Sequence, residues 1–312
     1  MDFSFGAFSK SFFHTLAGSA AIKQAASRYG MRKPSSFARR FIAGEMVQEA
    51  IDAARAIEPT GMMVTLDYLG ESVASIDEAA AATREYVTVI DAIAASGVGR
   101  NISLKLTQLG LDVDRATTVD NLRRILDRAA PHEFFVRIDM ESSAYTERTL
   151  EIFETLWQQG YRNAGVVIQS YLRRSEADIR RMNALGARVR LVKGAYKEPK
   201  EIAYQAKSDV DAQFVAQMTL LLDEGVYPAI ATHDPAMIDA TKAHAAARGY
   251  AKDRFEFQML YGIRRDLQAS LTGEGYPFRV YVPFGKEWFP YFMRRLGERP
   301  ANVMFVARSL LK

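Results

Sequence analysis

Cysteine is absent from all 312 residues. That excludes a disulfide framework, a thiolate nucleophile and a thiolate metal site, and it favours a reducing compartment. Histidine is nearly absent: His14, His132, His233 and His244 are the four present. Barrel metallohydrolases need several imidazoles around their ions, so the chain is not expected to hold a metal. No apolar run is long enough to span a bilayer. The first residues are interrupted by Ser, Lys and His, so no cleavable leader is expected. No G-x-G-x-x-G is present, which removes the usual sign of a doubly wound dinucleotide fold. Acidic residues are scarce at the start. Through Gly44 there are seven Lys/Arg (Lys10, Lys23, Arg28, Arg32, Lys33, Arg39, Arg40) against Asp2, about +6, whereas the whole chain is only +4. The basic balance therefore belongs to an N-terminal arm, and nothing marks the main body as a nucleic-acid binder.

What is present is ordinary globular composition, 48% hydrophobic and 25% charged, arranged in a rhythm. Residues 1–60 read as a helical arm. Phe5, Phe8 and Phe12 share one helical face, and Glu45–Ala56 is amphipathic. From residue 61 to 312 short apolar runs alternate with helix patterns. The runs are Met62–Leu66, Asn101–Leu106, Phe134–Met140, Gly165–Gln169, Arg188–Lys193, Pro228–His233, Arg254–Met259 and Arg279–Phe284. Capping boxes are expected at Ser75–Glu78 and Ser175–Asp178, and helix stops at Gly97, Gly160, Gly186, Gly225 and Gly249. Eight strands alternating with helices over roughly 250 residues is the size and count of an α/β (β/α)8 barrel of the TIM type.

Chemistry in such a barrel sits at the C-terminal strand ends. Those ends carry Lys105, Asp139, Gln169, Arg190 with Lys193, His233, Gln258 and Tyr281. Phe135, Arg137 and Asp139 alternate with Val136 and Ile138, which turns Asp139 inward. Lys105 and Asp139 come from neighbouring strands and are expected to pair. After the last strand, Pro290 suits the first turn of a helix on which Tyr291, Arg294, Arg295 and Glu298 line one side. Two adjacent guanidinium groups call for an anion, and a carboxylate meets the planar fork of Arg bidentately. The mouth should therefore bind an anionic species. One chemistry open to such a site is a cofactor-free lyase with Lys105 or Lys193 as a Schiff-base nucleophile, its pKa lowered by neighbouring cations.

Several stretches resemble the proline dehydrogenase family: Arg190-Leu-Val-Lys-Gly-Ala-Tyr196, Ala231-Thr-His233, Phe255-Glu-Phe-Gln258, Tyr281-Val-Pro-Phe-Gly285 and Tyr291-x-x-Arg294-Arg295-x-x-Glu298. They follow in the family's order from about Met62 to Phe305, and the chain is similar to the bacterial monofunctional form, without the aldehyde dehydrogenase module fused to some relatives. The resemblance implies FAD-dependent oxidation of L-proline to Δ1-pyrroline-5-carboxylate, with hydride passed to flavin N5. It implies that Arg294, Arg295 and Lys105 hold the substrate carboxylate and that Asp139 holds Lys105. Tyr196, Tyr281 and Leu191 would enclose the ring. Gln169, Arg190, Val192, Gly194, Thr232, His233 and Gln258 would contact FAD, and Glu298 would support the arginines near the flavin. Lys197 stands where many relatives carry an aromatic residue. The implied electron acceptor is a membrane quinone, which fits a cytoplasmic enzyme whose basic, phenylalanine-rich arm (Phe3, Phe5, Phe8, Phe12, Phe13, Leu16) offers a peripheral contact with the inner face of the membrane.

Overall fold

A computed structural model describes Met31 and residues 36–298. The phenylalanine-rich stretch of the arm and residues 299–312 lie outside them. Helix α1 (Val47–Ile57) leads into strand β1 (Met63–Tyr68). The chain then repeats α2 (Ile76–Ser96), β2 (Asn101–Leu104), α3 (Arg115–Ala129), β3 (Phe135–Ile138), α4 (Ser143–Gln158), β4 (Ala164–Gln169), α5 (Ser175–Leu185) and β5 (Arg188–Val192). It closes with α6 (Lys207–Glu224), β6 (Ala229–Ala231), α7 (Pro235–Ala247), β7 (Glu256–Leu260), α8 (Arg265–Gly273), β8 (Phe278–Phe284) and α9 (Trp288–Glu298). All neighbouring strands are parallel, and β1 pairs with β8 (Val64 opposite Val280, Leu66 opposite Val282), so the sheet is a closed eight-stranded barrel. The expected α/β (β/α)8 architecture is the one observed.

Local chemistry explains the punctuation. Ser75 caps α2 by accepting from the Glu78 amide, while the Glu78 carboxylate accepts from Ala74 N, as the capping box requires. The second expected box does not form. Ser175 lies inside α5 and its hydroxyl donates to the Gln169 carbonyl, because the turn after β4 already begins the helix at Arg174, whose guanidinium pairs with Asp178. Gly97 and Gly186 end α2 and α5 in the left-handed conformation, whereas Gly225 ends α6 in extended backbone.

The main core lies between strands and helices. Val64 and Leu66, Ile102 and Leu104, Val136 and Ile138, and Val280 and Val282 turn outward onto buried helix faces such as Ile90, Ile93, Leu122 and Ile125. Ala50, Ile51 and Ala54 of α1 belong to the same core, so this helix is packed on the barrel. The lumen is different. Barrel interiors are usually filled by branched apolar side chains. Here Thr65, Asp67, Ser103, Arg137, Arg190 and Glu256 are buried, all on strands whose alternate residues form the apolar layer. Near the base of the lumen, Arg279 holds both oxygens of Glu256 at 2.8 and 2.9 Å and donates to the Val64 carbonyl. Arg137 donates to the carbonyls of Val166 and Arg188. A second, smaller apolar cluster seats α9 above the mouth.

Candidate active site

Of the polar residues at the strand ends, Asp139, Arg190 and Tyr281 meet, and the pairing differs from the expected one. Asp139 extends β3 by one rung, its amide donating to the Leu104 carbonyl at 2.8 Å. Its Oδ1 accepts from Arg190 Nη1 at 2.7 Å, and its Oδ2 accepts from the Tyr281 hydroxyl at 2.8 Å. The Arg190 guanidinium also lies over the Tyr281 ring, 5.4 Å from its centroid, and Nη2 donates to Ser103 Oγ at 3.2 Å. Asp139 thus holds Arg190 and Tyr281, not Lys105 as expected. The reason is reach: an inward side chain on β3 faces β5 and β8 across a narrow lumen as readily as its sheet neighbour.

Lys105 pairs instead with Asp67 at the end of β1, Nζ to Oδ2 3.9 Å. Both are buried, Asp67 completely. Burial alone would lower the Lys105 pKa. The carboxylates of Asp67, Glu71 and Asp139 outweigh it and hold the ammonium above the ordinary lysine range. A Schiff-base nucleophile must be a neutral amine, so Lys105 is unsuited to the lyase chemistry. Lys193 is engaged as well, donating to Asp211 and, at 2.7 Å, to Asp234. For Asp67 itself, burial pushes the pKa up and Asp139 adds to this, against the pull of Lys105.

Above the lumen, Arg294 on α9 reaches the Glu71 carboxylate in the β1–α2 loop at 2.6 and 3.3 Å. Arg295 is buried, its guanidinium 5.1 Å from the Tyr291 ring centroid. Tyr196, in the loop after β5, lies among these charges. Burial and the Glu71 charge push its hydroxyl up to about 12, with Lys105 and Arg294 opposing, so it remains a neutral donor. Lys105, Tyr196, Glu71, Arg294, Tyr281 and Asp139 therefore form one electrostatic neighbourhood at the mouth. Leu191, next to Arg190 on β5, is fully buried. The side chain of Glu298 falls outside the described residues.

The ends of β4 to β7 have another character. Gln169 donates its amide to the Glu141 carbonyl at 2.8 Å, and Gln258 donates its own to Glu256, which leaves each side-chain oxygen as an acceptor. His233 Nε2 accepts from the Leu260 amide at 3.0 Å, which places the proton of the neutral ring on Nδ1. Thr232 is buried, and its hydroxyl accepts from the Asp234 amide. After Val192, Gly194 adopts φ +116°, and a Cβ there would lie 2.3 Å from the Tyr171 ring, so only glycine fits this turn. Arg190 keeps a buried Nε–H with no hydrogen-bond partner.

Sequence reasoning missed Asp67, Glu71, Ser103 and Glu256. Asp67 had a signal: Thr65 and Asp67 alternate with Val64 and Leu66. Glu256 had the same parity on β7. Glu71 lies in a loop, where no periodicity could reveal it.

Comparison with known proteins agrees with the fold. The family profile for proline dehydrogenase matches residues 50–308. The chain is 41% identical over 303 residues to proline dehydrogenase 2 of Bacillus subtilis, covering 97% of this chain and 99% of that protein. It is 41% identical to proline dehydrogenase of Deinococcus radiodurans, covering 90% and 92%. Among solved structures, proline utilization A from Bdellovibrio bacteriovorus, inactivated by N-propargylglycine, superposes with a TM-score of 0.78 at 26% identity. The match covers 92% of this chain but 37% of that longer one, so it speaks for one domain of it. A closed parallel barrel, a paired-arginine helix over its mouth and a full-length match to curated relatives place the chain in the proline dehydrogenase family.

Proposed function

We propose that this proline dehydrogenase uses FAD to oxidise L-proline to Δ1-pyrroline-5-carboxylate and passes the electrons to a quinone. The observation that carries the substrate reading is the Arg294–Glu71 pair in a space also faced by Lys105 and Tyr196. A carboxylate already occupies the guanidinium, at the place where a substrate carboxylate would sit. Substrate would replace Glu71 on Arg294, with Arg295 and Lys105 adding positive charge. This exchange needs little net desolvation, because one ion pair is traded for another. Tyr196 and Tyr281 would wall the ring; Leu191, which the resemblance assigns to that wall, is fully buried with Val189 in the apolar layer, alternate to Arg190, and would support the wall from behind. Asp139 accepts from the Tyr281 hydroxyl and from Arg190, and so fixes the orientation of both side chains.

Side chains offer no hydride acceptor, and bound FAD would supply one. The residues present fit an isoalloxazine, which carries acceptors along one edge and an N–H donor between two carbonyls. Arg190 presents a buried N–H without a partner, and Gln169 and Gln258 present oriented amide oxygens. His233, Thr232, Val192 and Gly194 complete this half of the mouth, and Glu298 is assigned a supporting role beside the arginines. Arg190 would also stabilise negative charge accumulating on the reduced ring system.

The purified protein should be yellow, lose its visible absorbance on adding L-proline, recover it with a soluble quinone analogue, and release free flavin on denaturation. A colourless active protein would remove the cofactor from this account. Replacing Arg294 or Arg295 with Met should raise KM for proline about 10- to 100-fold, since each forfeits a charge-assisted hydrogen bond of roughly 1.5–3 kcal/mol. Prolinamide should be a poor substrate. Unchanged KM in both variants would dissolve the clamp. Tyr281→Ser should lose efficiency toward proline and lose less toward hydroxyproline, by a difference of about 1–3 kcal/mol. Equal losses would mean that Tyr281 does not sort the two.

The quinone reading gives the N-terminal arm a reason to lie at a membrane, although its phenylalanines are outside the described residues. Among the described residues no helix is long and apolar enough to cross a bilayer; the arm itself, with about +6 charge through Gly44, is proposed to make a peripheral contact. The full chain should co-sediment with anionic liposomes at low ionic strength and be released by salt; absence of binding at low salt would assign the arm to the fold alone.

A further inference from the structure

We propose that Phe41 is a positioning residue for the substrate clamp, a buried wedge in a strap (residues 38–45) that sets where α9 holds Arg294 and Arg295. This rests on the clamp assigned above.

The strap is tied to α9 at successive points. Ahead of the helix, the Ala43 amide donates to the Pro283 carbonyl and the Gly285 amide donates to the Gly44 carbonyl, each at 2.9 Å. At the helix start, Trp288 Nε1 donates to Glu45 at 3.0 Å. One turn further on, the Phe41 ring, fully buried, meets Phe292 with centroids 6.2 Å apart. Trp288, Phe292 and Leu296 recur at four-residue spacing and form the stripe that faces this cluster. The same cluster contains Leu69, two residues before Glu71, and Tyr281 packs against its edge. Phe41 therefore belongs to the one apolar body that contacts all three elements around the substrate space: the clamp helix, the β1–α2 loop and the end of β8.

The other side of the strap is fixed as closely. Gly262, in the β7–α8 loop at φ +71°, lies under the strap, and a Cβ there would stand 1.7 Å from the Arg40 carbonyl oxygen. Arg39 braces the turn from within, donating to the carbonyls of Met31 and Ala43 and pairing with Glu49. Most of α9 rests on this cluster rather than on the main core, because its apolar stripe and the main core form separate groups. Guanidinium–carboxylate recognition is directional, so a small shift in the helix misaligns the fork before it unfolds anything.

The test compares Phe41→Ala, Phe41→Leu and Gly262→Ala in the full-length enzyme. Two readouts are needed: steady-state kinetics with L-proline, and amide hydrogen exchange resolved over residues 288–296 and over the barrel strands. For Phe41→Ala we expect a 5- to 20-fold rise in KM with kcat within about twofold, and faster exchange in α9 with strand amides unchanged. Phe41→Leu should restore most of KM, and Gly262→Ala, pushing the strap from beneath, should raise it. Unchanged KM, or a fall in kcat alone, overturns the proposal, as does a uniform rise in exchange through the barrel, which would make Phe41 a general core residue. If Arg294→Met and Arg295→Met leave KM unchanged, the clamp itself has failed; the α9 exchange in Phe41→Ala then still decides whether the strap holds the helix.

Discussion

Charge buried inside a closed barrel has to be paired within it, and Asp139 is the residue that meets this demand at the level of the site. An unpaired buried charge costs several kcal/mol, and removing one partner of a buried pair costs about 3–5 kcal/mol. Asp139 divides its two oxygens between a cation from β5 and a hydroxyl from β8. One carboxylate thereby fixes the azimuth of two side chains on opposite sides of the lumen. Beneath it, Glu256 does the same for Arg279 and Gln258. Burial opposes ionisation of Glu256, yet Arg279 keeps its carboxyl below the usual range, so the lower pair stays ionised. The lumen is a stack of such pairings, and the mouth inherits its orientation from them.

The upper layer is close to neutral as it stands. Lys105, Arg190, Arg294 and Arg295 face Asp67, Asp139 and Glu71. The sequence suggested a mouth rich in positive charge, because Lys105, Arg190, Lys193, Arg294 and Arg295 lie on recognisable strand ends and in a motif, while Asp67 and Glu71 were not recognised; Lys193 proves to be balanced by Asp211 and Asp234. The distinction affects how an anion would bind. A bare cluster of cations would attract any anion and would repel itself when empty. A cluster already balanced by Glu71 admits only an anion that can take over the Glu71 position on Arg294, which is a condition on shape as well as charge.

The architecture was legible because most strands alternate apolar residues, facing the helices, with polar residues facing the lumen, while β4 and β6 read as short apolar runs. Strand positions read from periodicity agree with the structure to within a few residues, with β6 the shortest relative to its reading. Parity turned Asp139 inward, and polar residues were identified at seven strand ends. The eighth, Asp67, was lost because the first strand was ended two residues early, at Leu66 instead of Tyr68. Partner choice was not legible. Adjacency in the sheet suggests Lys105 with Asp139, but in a narrow barrel the cross-lumen neighbours compete, and Arg190 with its longer reach and forked donors wins. The role of residues 38–45 was also hidden, since no local pattern in the strap says that it lies against a helix some 250 residues later.

The mouth has two halves that differ as solvents. The ends of β1 to β3 together with α9 are ionic, carrying Asp67, Lys105, Asp139, Arg294 and Arg295. The ends of β4, β6 and β7 carry amide, hydroxyl and neutral imidazole groups: Gln169 and Gln258 each donate from the amide nitrogen, while Thr232 and His233 accept from backbone amides. A small charged amino acid suits the first, because fixed opposite charges replace its hydration shell. A large planar ring with a defined hydrogen-bonding edge suits the second, where oriented dipoles discriminate without trapping a charge. Arg190 is rooted in the second half and reaches into the first, bonding Asp139 and Ser103 across the lumen while its Nε–H remains unclaimed. A charge placed at that boundary lies within reach of both halves, and would favour an electron pair moving from the ionic side to the planar side.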